Sequence, residues 1–368
     1  MHVHLREPGF EYKETVETGC LAAAKGGYTS IAPMPNTRPV IDDPEGIALV
    51  RQRAGEACGV HVWPIGAVSR GQKGQEMTDV AALKEAGAVA LSDDGVPVQN
   101  ANLLRDALIR AKWQELTILS HCEDAEMVKN YAVNEGPVSR ALGLPGRPAI
   151  AEELQVMRDA MLAEETGAAI HICHVSTARS VDIIRRFKKR GVHITCETCP
   201  QNFTLTEDEL LSQGTMARVN PPLRTKLDVE GIIKGLKDGT IDVIATDHAP
   251  HSAEEKAKPL TEAPSGMVGL ETALGVTLTA LYHTGRIVLS DILRKMTINP
   301  AFILRIPKGR LTLGGRADFT IFDLDEEWTV DPSQFVSKGR NTPFAGHKLR
   351  GRVKYSIADG KIIYQEGN

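Results

Sequence analysis

Two histidines separated by one residue, His2 and His4, stand in the stretch HVHLREPG. On an extended strand, positions i and i+2 project to the same face, so the pair can reach one metal ion. More candidate ligands close other β-rich runs: Asp93 and Asp94 in AVALSDD, His121 in LTILSHCED, His174 in AAIHICHVS and Asp247 in IDVIATDHAP. Four imidazoles with one or two carboxylates suit zinc or a similar borderline divalent ion. A carboxylate shared by two ions would complete a dinuclear site, and such a site generates a hydroxide near neutral pH.

Other polar groups read differently. His171 lies three residues before His174, and residues three apart on a strand face opposite sides, so only one can point to the site; His174, nearer the strand end, is the choice. CETC, with Cys196 and Cys199, has no second pair and reads as core packing. His61, His193, His283 and His347 read as structural. The EEKAKP run is a solvated charge cluster on a loop that could close over a substrate.

The elements that must bring these residues together are legible as alternation. Eight β-rich runs (HVHL, YTSIAPM, VHVWPIGAV, AVALSDD, LTILSHCED, AAIHICHVS, VHITCETCP, IDVIATDHAP) alternate with helical stretches such as ETVETGCLAAAKGG, DVAALKEAG and ARSVDIIRRFKKRG. That is the pattern of an α/β fold, a (β/α)8 TIM-like barrel, whose active sites lie at the carboxyl ends of its strands. The candidate ligands all stand at those ends, so residues far apart in sequence become neighbours. From Gly309 the pattern changes to short strands and turns without helices. Residues 1–308 are therefore expected to form the barrel and residues 309–368 a small β-rich second domain.

Composition narrows the partners. With 42% hydrophobic and 24% charged residues, the 368-residue chain can bury a large core. A formal net charge of −4 and dispersed lysines and arginines give no footprint for nucleic acid or for an anionic membrane. A small-molecule substrate and a cytoplasmic location are expected. Six cysteines in so long a chain form no disulfide framework and read as reduced and buried.

HVHLREPG, PMPNTRP, SDDG, SHCED, CHVST, VNPPLR, TDHAPH and APSGMVGLET together resemble the type I dihydroorotases of the amidohydrolase superfamily. The C-terminal GRLTLGGRADFTIFD and NTPFAGHKLRGRV are similar to those enzymes' small β domain. The resemblance implies zinc-dependent, reversible closure of N-carbamoyl-L-aspartate to (S)-dihydroorotate in pyrimidine biosynthesis. It assigns His2, His4 and Asp247 to one zinc, His121 and His174 to a second, and Asp94 to the bridge, with Asp93 as the fallback. A bridging hydroxide would attack the ring carbonyl while Asp247 serves as general base and then acid. Arg6, Asn36 and His251 would clamp the substrate carboxylate, with His4 alongside; Asn220, Ser265 and Gly266 would hold the ring amides.

Hydantoinases and allantoinases bridge with a carboxylated lysine where this chain has LSDDG, which argues against those activities. Gln201 and Asn202 stand where many relatives carry histidines and are not expected to be ligands. The family usually carries a further segment before its H-x-H motif. Its absence here predicts that the small domain lacks its N-terminal strands, that His2 lies near a frayed terminus, and that the metal on His2 and His4 binds weakly. The resemblance leaves room for a homodimer, for association with aspartate transcarbamoylase, and for a non-catalytic scaffold.

Overall fold

The computed structural model describes residues 1–129 and 131–367. Helices form where the sequence supplies a cap. Thr15 caps Val16–Lys25, Asp79 caps Val80–Ala86 and Thr177 caps Ala178–Lys189, each side chain accepting a backbone N–H of the first turn. In Ala178–Lys189 the residues Val181, Ile184 and Phe187 are buried while Arg186 and Lys189 are exposed, which seats one face of the helix on the sheet.

The strands run β1 (Ser30–Ile31), β2 (His61–Val62), β3 (Ile65–Gly66), β4 (Ala90–Leu91) and β5 (Thr117–Ser120). A two-stranded ribbon, β6 (Val133–Asn134) with β7 (Gly146–Arg147), precedes β8 (Ile170–Ile172), β9 (Ile194–Thr198) and β10 (Val243–Ile244). The order β10-β9-β8-β5-β4-β3 is parallel throughout, and β1 pairs in parallel with β2. β2 and β3 belong to one barrel strand: Trp63 N donates to Ile31 O at 2.9 Å and Ile65 N to Pro33 O at 3.2 Å. Pro64 between them has no N–H to donate, so the ladder lapses there. Val3 closes the ring by bridging both Pro33 and His248. The expected eight-fold α/β barrel is what forms.

Two expectations change in detail. The ladders are shorter than the apolar runs, because the chain leaves extended geometry just past them: His174 has φ 33° and Asp247 φ 44°. Asp94, His121, His174 and Asp247 thus lie one to three residues beyond β4, β5, β8 and β10. The start of the chain is not frayed, since His2 is 0% and Val3 2% exposed. Ladder bonds on both sides of Val3, and the Thr246 hydroxyl donating to His2 O at 3.1 Å, tie it into the barrel.

Beyond the barrel, β11 (Phe319–Thr329), β12 (Lys348–Ala358) and β13 (Lys361–Gln365) form an antiparallel sheet. Two of these strands have 11 residues, longer than the short strands expected. Asp359 (φ 48°) and Gly360 (φ 75°) turn β12 into β13 with the two positive φ angles of a type I′ hairpin. The sheet docks on Val16–Lys25: the Ser356 hydroxyl donates to Ala24 O at 2.6 Å and that of Thr320 to Gly27 O at 2.7 Å. Among the described residues no helix is long and apolar enough to cross a membrane.

Candidate metal centre

At the carboxyl end of the barrel four imidazoles and two carboxylates meet. His2 Nε2 lies 3.4 Å from both Asp94 Oδ1 and Asp247 Oδ1. His4 Nε2 lies 3.1 Å from Asp247 Oδ1 and 3.5 Å from Asp94 Oδ2. On the other side, His174 Nε2 and His121 Nδ1 are 3.4 and 3.6 Å from Asp94 Oδ1 and 2.8 Å from each other. Asp94 therefore stands between two imidazole pairs. Asp93 faces away: its carboxylate accepts from Val68 N at 2.8 Å and from the N–H and hydroxyl of Ser69.

These donors fit a divalent cation. His2, His4 and Asp247 place ligand atoms close enough to share one ion, as do His2, Asp94 and His174. All are nearly excluded from solvent. His2 Nε2 and Asp94 Oδ1 are buried with no hydrogen-bond partner among the described residues. Orphaned polar atoms of this kind cost about 1–3 kcal/mol each, a penalty a cation among the six donors would remove.

The electrostatics agree. Burial pushes the His2 imidazole down, but Asp94, Glu197 and Asp247 outweigh it and raise the ring well above its ordinary range. Burial likewise opposes ionisation of Asp94, which the surrounding histidines nonetheless hold far below the usual carboxylate range; His2 and His4 do the same, less strongly, for Asp247. The cluster is built to attract positive charge. Arg6, His174 and Asp247 all carry positive φ (65°, 33° and 44°), which costs about 1–3 kcal/mol each and persists only where surroundings enforce it.

Groups behind the ligands fix their orientation. Glu197, fully buried on β9, accepts from His2 Nδ1 at 2.6 Å and lies 3.3 Å from His171 Nε2. Glu197 lies inside CETC, and its signal is a lone charged residue in an otherwise uncharged strand. His171, read as structural, serves this carboxylate and the Thr195 hydroxyl at 2.8 Å. Asn36 Oδ1 accepts from His4 Nδ1 at 2.8 Å, so this expected substrate contact holds a histidine ring. Across the site, burial raises the Glu123 carboxyl but His121 and Arg147 bring it down to about 2. Glu123 and Asn220 flank the outer nitrogen of His121, at 3.7 and 3.3 Å.

Arg6 Nε donates to Pro250 O at 3.2 Å, and Nη2 lies 3.4 Å from His251 Nε2. Burial brings Arg6 down to about 10, still cationic at neutral pH. His251 Nε2 donates to Ser265 O at 2.9 Å; burial, Arg6 and Lys13 keep that ring neutral. Gly266 has φ +136°, and a Cβ there would lie 2.8 Å from Ala249 Cβ, so only glycine fits. The structure thus brings Arg6, His251, Ser265 and Gly266 together on one side and Asn220 to His121 on the other. Asn202 Nδ2 instead donates to Val175 O at 3.3 Å. A cavity of about 460 Å³ near the opposite end, lined by Tyr28, Leu274, Phe319 and other largely apolar residues, contains none of the ligands.

With this geometry in hand, comparison with known proteins is decisive. Residues 1–180 match the family described as dihydro-orotase-like, and residues 236–364 match the amidohydrolase family. The dihydroorotase of Acetivibrio thermocellus is 50% identical over 365 residues, covering 99% of this chain and 86% of that protein. That of Pelotomaculum thermopropionicum is 52% identical over 370 residues, covering 100% and 86%. The chain belongs to the dihydroorotase family. Its fold is shared with an L-hydantoinase (dihydropyrimidinase) from Arthrobacter aurescens at TM-score 0.90 and 25% identity, covering 100% of this chain and 84% of that one. A dihydropyrimidinase from Brevibacillus agri shares the fold at TM-score 0.85, covering 99% and 83% at 23% identity. As a member of the dihydroorotase family, the chain is a hydrolase of the amidohydrolase class, and its buried ligand groups are those of a metal-dependent member.

Proposed function

We propose that this chain is a dihydroorotase that closes N-carbamoyl-L-aspartate to (S)-dihydroorotate and reopens the ring, with two zinc ions sharing Asp94. His2, His4 and Asp247 would hold one ion, His121 and His174 the other. When bound, the metal pair supplies Lewis acidity and water activation. The protein supplies the rest. Asp247, ionised at neutral pH, takes the proton of the attacking water and delivers it to the ring nitrogen as the amide breaks; in ring closure the transfers reverse. Glu197 and Asn36 fix the tautomers of His2 and His4, leaving each Nε2 free to act as a ligand.

The observation that carries the substrate reading is Arg6. Its guanidinium lies beside the ligand cluster, and no carboxylate is within ion-pair distance of it among the described residues; its hydrogen bond goes to Pro250 O. A partly buried cation without an anion calls for one on the ligand, and the planar fork suits a carboxylate. Dihydroorotate carries a ring carboxylate beside its amide, whereas hydantoin, dihydrouracil and allantoin do not. His251, Ser265 and Gly266 lie on the same side, and Asn220 opposite, where the ring amides would be held. A panel of these four compounds tests the proposal with purified chain and zinc. Selective hydrolysis of dihydroorotate, with cyclisation of N-carbamoyl-L-aspartate, is the expected result. Faster hydrolysis of any uncharged ring would overturn it.

A further inference from the structure

Lys256 belongs to the EEKAKP run that reads from sequence as solvated, yet it is 1% exposed. It ends the short helix Ala253–Lys256 and turns its ammonium inward. Nζ lies 3.0 Å from Pro264 O, 3.1 Å from Gly266 O and 3.4 Å from Arg218 O. Three N–H donors meet three carbonyls. The neighbouring Glu255 is engaged elsewhere, with Lys13 at 2.9 Å and Ser252 N at 3.2 Å. A cation buried without a counter-charge is costly, and an apolar side chain of similar length would fill the space more cheaply. Burial and the Arg218 guanidinium bring its pKa down to about 7, with Glu255 opposing them, and hydrogen bonds from the ammonium to the three carbonyls favour the charged form.

What the ammonium adds is a tie between segments. Gly266 N donates to Arg218 O at 2.9 Å, and Gly266 O also accepts from Asn341 Nδ2 at 3.0 Å. With the carbonyls of Pro264 and Gly266 drawn to Lys256, the intervening Ser265 carbonyl meets His251, which stands against Arg6. We infer that Lys256 is a positioning residue for substrate recognition: its ammonium ties the Pro264–Gly266 segment to Arg218 and so sets Ser265 and His251 beside Arg6. This rests on the proposal that those residues line the bound substrate.

The test compares the wild type with Lys256→Met, which fills the space without donors, and Lys256→Gln, which keeps two. The positioning role predicts that K256M raises KM for dihydroorotate at least tenfold with kcat within threefold of wild type and metal content unchanged. K256Q should fall between, and amide exchange at Gly266 should quicken in the order wild type, K256Q, K256M. KM within twofold of wild type in folded K256M overturns the inference, as does loss of folding in both variants, which would make the lysine a structural strut. A wild type inert to dihydroorotate instead refutes the substrate reading, while the exchange order still decides whether the tie exists.

Discussion

Glutamate 197 offers the sharpest handle on the centre, because it touches one ligand of one proposed ion and none of the other's. The change Glu197→Gln keeps the volume and an oxygen that can accept from His2 Nδ1, so it removes the charge alone. The bond concerned is 2.6 Å long between two fully buried residues. A buried hydrogen bond to a charged group is worth about 1.5–3 kcal/mol, of which the neutral amide keeps about half. Losing roughly 0.8–1.5 kcal/mol weakens metal binding about 4- to 12-fold at 1.4 kcal/mol per decade, at the low end of the ~10–100-fold cost of losing such supporting groups in metal sites. The assay is competition with a chromophoric chelator, resolving two binding steps per chain. Only the step assigned to His2, His4 and Asp247 should weaken in E197Q. Glu123→Gln, which lies behind His121, should weaken only the other step. Equal weakening of both steps in E197Q, or of neither, would refute the assignment of His2 and His121 to different ions.

Three further outcomes are expected. Asp247→Asn should lower kcat by about 10²–10⁴-fold, the usual range for a general acid–base group, with metal content measured on the same sample. Arg6→Gln should raise KM for dihydroorotate at least tenfold while leaving metal content unchanged; an unaltered KM would remove Arg6 from the carboxylate clamp. Glu14 is fully buried and, although burial raises it, His248 at 3.2 Å and the Ser337 hydroxyl hold its pKa below the ordinary value of 4.5. A carboxylate depressed in the fold stabilises it above the unfolded pKa, and that stabilisation is lost as pH falls through the folded value. Glu14→Gln should therefore cost about 1–3 kcal/mol at pH 7 in denaturant melts, and the gap should narrow at acid pH; a gap that widens there would contradict a carboxylate held ionised by its hydrogen bonds.

Much of this site was legible because barrel geometry converts sequence order into proximity. Once eight alternating runs are recognised, His2, Asp94, His121, His174 and Asp247 must face one another, and they do. Less visible was anything that depends on side chains crossing between segments. Glu197 sits in a run whose cysteines drew attention to redox and packing, and its partner His2 is 195 residues away. The bond from His4 to the Asn36 oxygen was hidden in the same way, since the two residues lie 32 positions apart. Lys256 looked solvated because a charge run says nothing about three carbonyls supplied from two other segments. The firm start of the chain was also hidden, since a single residue, Val3, receives ladder contacts from strands on both sides.

If two ions and Asp94 act together, titrating zinc into the metal-free chain while following dihydroorotate ring opening should give little activity through the first equivalent and a rise to full activity as the second is taken up. Full activity at one equivalent, or none with two bound, would contradict that joint action.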